Sequence, residues 1–160
     1  MGTFAWMFKE KGSSIPDNKK DEFVKKIEKI FQSGGMMNIE WIQLYGKKIP
    51  MLRLIEMSDK GMYFFYNYFA DEIWEDAGFD MKDCRVWSNK IGWSYFHKTV
   101  VAAYVLEELY MDGISATMVD CDPVTSGEYV GWINYLFQEM NFIKNYDSRC
   151  VTVVGKSDNG

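Results

Sequence analysis

Histidine is almost missing from this chain: His97 is the only one in 160 residues. That excludes every metal site built on two histidines and every hydrolase that needs a second imidazole. Cysteine is scarce too. Cys84, Cys121 and Cys150 are odd in number and widely spaced, with no CxxC or CxxxC pair, the usage of a reduced, cytoplasmic protein with incidental thiols. There is no internal repeat, no low-complexity tract and no Pro/Gly/Ser-rich linker long enough to separate a pair of domains. No hydrophobic run reaches the roughly 20 residues of a membrane span. The apolar start, Met1 to Phe8, is cut short by Lys9, Glu10 and Lys11, and it lacks the basic leader and cleavage site of a signal peptide. Trp6 stands where a myristoylation signal requires Ser or Thr.

What is present is apolar and aromatic. The chain is 48% hydrophobic and 17% aromatic, enough for a core without staples of disulfide or metal. One globular domain over residues 1–154 is expected, with residues 155–160 as a disordered tail. The net charge of −5 is uneven: residues 1–60 hold 11 Lys and Arg against 8 Asp and Glu, residues 61–160 hold 7 against 15. An acidic second half argues against nucleic acid, whose phosphates require clustered cations, and favours a basic partner.

Periodicity suggests the elements. Phe23, Val24, Ile27, Ile30 and Phe31 mark a helix over 17–32, opened by Pro16 and Asp17 and closed by Gly34-Gly35. Runs 38–45 and 49–55 around Gly46-Lys47-Lys48 read as a hairpin whose second strand lies at an edge or is paired on one side only at Pro50. Residues 62–69 follow as a third strand. The acidic run from Asp71 reads as a short helix ending at Gly78, and a brief strand follows near Arg85, Val86 and Trp87. Residues 92–111 form an apolar central helix on which only Glu107 and Glu108 are wet. Residues 114–119 read as a strand. A capping box of Thr125 and Glu128 opens a last helix carrying Val130, Ile133, Phe137 and Met140 on one face, and Val151 to Val154 could close the sheet. The predicted fold class is α+β: an antiparallel meander with about four helices packed mostly on one face.

Candidate chemistry is thin. His97 with Cys84 or Cys121 could form a nucleophilic pair only by geometry that spacing does not reveal. Asp120-Cys121-Asp122 has the form of a metal-binding DxD, but Asp122-Pro123 is more simply a turn. Gly155-Lys156-Ser157 mimics the end of a P-loop and fails because Cys150 stands where the first glycine is required. Asp71 with Glu75 and Glu72 with Asp76 are like-charged i, i+4 pairs on the expected helix, a spacing that would raise one pKa in each pair. The sequence therefore points to no cofactor and no metal.

The strongest signal is the aromatic block Tyr63-Phe64-Phe65-Tyr66-Asn67-Tyr68-Phe69 set directly before Asp71-Glu72-Ile73-Trp74-Glu75-Asp76. Rings next to solvated carboxylates suggest a docking surface. The expectation is a non-catalytic protein-binding module, with Asp71, Glu72, Glu75 and Asp76 steering a basic protein partner and Tyr66, Tyr68 and Trp74 anchoring it. In composition, though in no motif, the chain is similar to small acidic bacterial immunity proteins. The alternative is an enzyme or carbohydrate-binding domain using a carboxylate pair from Asp71, Glu75, Asp120 and Asp122 in an aromatic-lined pocket. The same rings could also build a homodimer.

Overall fold

The computed structural model of the chain describes residues 3–35, 40–44, 47–69, 72–91, 95–124, 127–137, 140–145 and 150–155, with side-chain surroundings described over 3–31, 58–63, 76–91, 97–124 and 129–134. The architecture is mixed α+β. In chain order the elements are β1 (Ala5–Lys9), a 3-10 turn (Asp17–Lys19), α1 (Lys20–Gly35), β2 (Glu40–Leu44), β3 (Lys47–Ser58), β4 (Gly61–Phe69), β5 (Glu72–Asp80), β6 (Arg85–Ser88), α2 (Tyr95–Tyr110), β7 (Ser115–Val119), β8 (Asp122–Pro123), α3 (Gly127–Phe137), β9 (Met140–Asn145) and β10 (Cys150–Gly155).

Helix α1 forms where the spacing places it. Phe23, Ile27, Ile30 and Phe31 are fully buried along one stripe, each stabilising the fold by about 1.5–3 kcal/mol. Lys20 Nζ lies 2.8 Å from Asp17 across the first turn. Gly34 and Gly35 are the last two residues of the helix.

The three strands expected over residues 38–69 also form, as β2 to β4. Strands β2 to β6 make a five-stranded antiparallel sheet in sequence order. Strand β3 serves two neighbours in succession: Lys47–Met51 pair with β2 and Leu52–Ser58 pair with β4. Pro50 thus lies in the segment of β3 that is laddered to β2 alone, where its missing N–H breaks no second ladder.

The acidic run corrects the sequence reading. Residues Glu72–Asp80 are not a helix but the strand β5, laddered to both β4 and β6. A central strand is dictated by its neighbours more than by its own propensity. Four residues of strand span about 13 Å, so Glu72 and Asp76 are not the adjacent like-charged pair that a helix would make. Asp71 lies outside the described residues. Gly78, expected as a helix cap, instead sits opposite both Tyr63 and Trp87, whose rings stack with centroids 5.9 Å apart and 20° between planes. Two large rings thus shield the strand position that lacks a side chain.

The helix α2 is the centre of the molecule. Every residue from Thr99 to Tyr110 is buried, because α1, α3, β1, β6, β7 and β10 all pack against it. The expectation that Glu107 and Glu108 are wet fails: they are 4% and 0% exposed. Three α-helices are described. Met140 begins β9 rather than extending the last helix, and β10 pairs with β9 in a separate two-stranded sheet instead of closing the meander. Thr125 lies outside the described residues, as does the tail from 156 onward.

Strand β1 is an element the sequence reading did not assign. It pairs antiparallel with β7, Ala5 opposite Val119 through Lys9 opposite Ser115, and β8 adds a third strand beyond β7.

The packing around Gly78 generates the first prediction. A methyl group there would press on the Met62 carbonyl and come within 2.7 Å of the Trp87 ring. Gly78→Ala should therefore cost about 1–3 kcal/mol, read as a lowered midpoint of urea unfolding and loss of the near-UV signal of the stacked rings.

Candidate functional site

The edges of the two larger sheets meet at β1 and β6. Their junction is closed at one end by a bridge between Phe4 and Lys90 and by the Ile91 N–H donating to the Thr3 carbonyl at 2.9 Å. Further along, side chains replace the ladder. Ser88 Oγ donates to the Ala5 carbonyl at 3.1 Å and lies 3.1 Å from Tyr104 Oη. The Val86 N–H donates to Glu107 Oε2 at 3.1 Å. Toward Lys9 and Arg85 the strands diverge, leaving a cleft of about 240 Å³ whose lining includes Trp6, Trp87, Tyr104 and Glu107. A second cavity of about 130 Å³ adjoins it at Lys9, Arg85 and Glu107, which line both.

Burial sets the electrostatics here. Desolvation pushes the Glu107 carboxyl up to about 7, against the opposing pull of the Val86 N–H, Lys9 and Arg85. Burial likewise raises the Tyr104 hydroxyl to about 12. Among the described residues neither Lys9 nor Arg85 has an acidic partner within 4.0 Å. Glu108, one residue on, accepts from the Thr117 hydroxyl at 3.2 Å, so consecutive carboxyls on α2 reach β6 and β7 respectively.

The outward face of the small sheet is apolar. Phe4, just before β1, and Trp6 and Phe8 on it alternate along the chain and are 48%, 43% and 43% exposed. Trp6 registers with Met118, which in turn registers with the exposed Pro123. The loop after β7 fixes this face in place. Asp120, in the left-handed region at φ 53°, accepts from the Phe4 N–H through Oδ1 at 3.1 Å and from Trp6 Nε1 through its carbonyl at 2.9 Å.

Of the residues expected to form the site, Glu72, Trp74, Glu75 and Asp76 lie on β5, and Tyr66 and Tyr68 on β4. Only Asp76 among them has described surroundings. Its carboxylate accepts from Tyr63 Oη at 3.1 Å and from Asn89 Nδ2 at 2.7 Å, so it ties β4 and β5 to the end of β6. Asp120, Cys121 and Asp122 form the exposed turn into β8. His97 is buried in the first turn of α2. The Cys84 thiol is raised, chiefly by burial, which is the reverse of an activated nucleophile. No three His, Cys, Asp or Glu side chains among the described residues converge as a metal site, and no described helix is long and apolar enough to cross a membrane.

Sequence reasoning missed β1 and Glu107. The signal for β1 was the alternation Phe4, Trp6, Phe8 against Ala5, Met7, Lys9. For Glu107 the signal was two carboxylates ending a run that is apolar on all sides. No protein-family model, curated protein or solved structure matches the chain.

The raised Glu107 carboxyl gives a pH prediction with a definite sign. Its folded value lies above the ordinary 4.5, so the folded state holds the proton more tightly and stability falls as pH rises from about 4.5 to about 7. Glu107→Gln, which keeps an acceptor for the Val86 N–H, should match the natural protein below pH 4.5. Above pH 7 it should be more stable, by on the order of 3 kcal/mol at most. Urea unfolding at pH 4 and pH 8 checks the difference.

Proposed function

We propose that this chain is a non-catalytic protein-binding module that anchors a basic protein partner on its aromatic faces. The observation that carries the reading is the row of three half-exposed rings, Phe4, Trp6 and Phe8, on a strand whose backbone the Asp120 turn holds in place. Large rings held rigid at the surface bury much area at little entropic cost, which is why aromatic side chains dominate binding hot spots. The excess of acid in residues 61–160 supports a basic partner, drawn in by long-range attraction before the rings seat. Asp71, Glu72 and Glu75 are assigned the steering role and Tyr66, Tyr68 and Trp74 a further anchoring role. Asp76 is better assigned to holding the sheet together, since its carboxylate already has two donors.

The test compares affinity capture by the natural protein with capture by a Phe4→Thr/Phe8→Thr form and by an Asp71→Lys/Glu72→Lys/Glu75→Lys form. The ring variant should lose affinity for the captured protein at least about tenfold, with thermal unfolding shifted by no more than a few degrees. The charge variant should associate more slowly and with less dependence on salt. A captured set identical for all three forms, or none at all, would reject the module reading.

A further inference from the structure

The cleft between β1 and β6 is lined by both acceptors and donors, and its hydrogen bonds fix which atoms remain to accept. Ser88 Oγ spends its one proton on the Ala5 carbonyl, so the hydrogen between Ser88 and Tyr104 belongs to Tyr104. The Tyr104 oxygen therefore keeps an accepting lone pair. Glu107 uses Oε2 for the Val86 N–H, and its other oxygen has no partner among the described residues. Tyr104 and Glu107 thus line the cleft as acceptors. Two donors, Lys9 on β1 and Arg85 on β6, line the cleft as well. Trp6, Met7 and Trp87 supply apolar surface.

A simple anion would match Lys9 and Arg85 but set its charge against Glu107. A simple amine would match Glu107 but leave both cations opposed. Only a ligand carrying both charges matches both kinds of group, and a volume of about 240 Å³ holds a molecule smaller than the usual drug-sized ligand.

We propose that this cleft binds a free α-amino acid as its zwitterion, with the carboxylate on Lys9 and Arg85, the ammonium on Glu107 and Tyr104, and an apolar side chain against Trp6 and Trp87. The site shares Trp6 with the partner surface, but Phe4 and Phe8 do not line it, and the two readings are tested by different variants.

Titration calorimetry with L-leucine and L-phenylalanine decides the matter, with N-acetyl-L-phenylalanine and phenethylamine as probes that each lack one charge. At least one amino acid should bind the natural protein, and each single-charge probe should bind at least about tenfold more weakly. Glu107→Gln, which retains the bond to Val86, should lower the affinity at least tenfold, as should Lys9→Met and Arg85→Met. These last two change only exposed side chains and keep the test valid should the Glu107 variant fold poorly. Failure of both amino acids to bind at about 10 mM would overturn the proposal. Equal binding of the N-acetyl derivative, or undiminished binding by the Lys9 and Arg85 variants, would overturn it as well.

Discussion

A helix buried on every side governs this fold. Residues Thr99 to Tyr110 contain a run of Val, Ala, Tyr and Leu long enough to fill the space between several packing partners. The same helix carries Glu107 and Glu108 into that interior. A buried carboxyl without a hydrogen bond costs several kcal/mol, so the surroundings of α2 must supply donors at fixed places. The Val86 amide and the Thr117 hydroxyl supply them. Two adjacent residues of one helix thereby fix the positions of two strands from different sheets.

That constraint explains why β1 and β6 fail to zip into one continuous sheet. The Val86 N–H is turned to a carboxylate rather than to a strand, and the Ala5 carbonyl is served by the Ser88 hydroxyl. Where side chains stand in for the ladder the backbones are free to diverge, and the cleft opens there. The interior thus accepts an awkward carboxyl, whose pKa burial raises to about 7, and the strand junction takes its shape around it. Strand β1 then presents two surfaces at once: rings outward, and Lys9 at the rim of the cleft.

Much of the architecture was legible along the chain because it rests on local pattern. The stripe of Phe23, Ile27, Ile30 and Phe31 has no other reading than a helix face. The turn chemistry around residues 46–48 and 58–61 separates three apolar runs at hairpin spacing, and the ladders from β2 to β4 follow from it. The acidic run was misjudged because Asp, Glu and Ala around Trp74 satisfy helical propensity while their pairing partners, on β4 and β6, are set by the sheet. The candidate site was legible only in kind. Aromatic rings beside acid did signal a surface, yet the rings best exposed among the described residues are at Phe4, Trp6 and Phe8, beside a turn more than a hundred positions away in sequence.

By itself the sequence determined the α+β class, the helix α1, the three strands β2 to β4 and the apolar character of α2, since each depends on residues that are neighbours along the chain. Tertiary structure alone decided that Glu107 and Glu108 are buried, that the first strand pairs with β7, and that β1 and β6 form a cleft lined by Lys9, Arg85 and Glu107. The reason is physical: hydrophobic periodicity reports which face of an element turns inward, whereas the protonation and hydrogen bonding of a carboxyl depend on which distant donors the fold brings within about 3 Å.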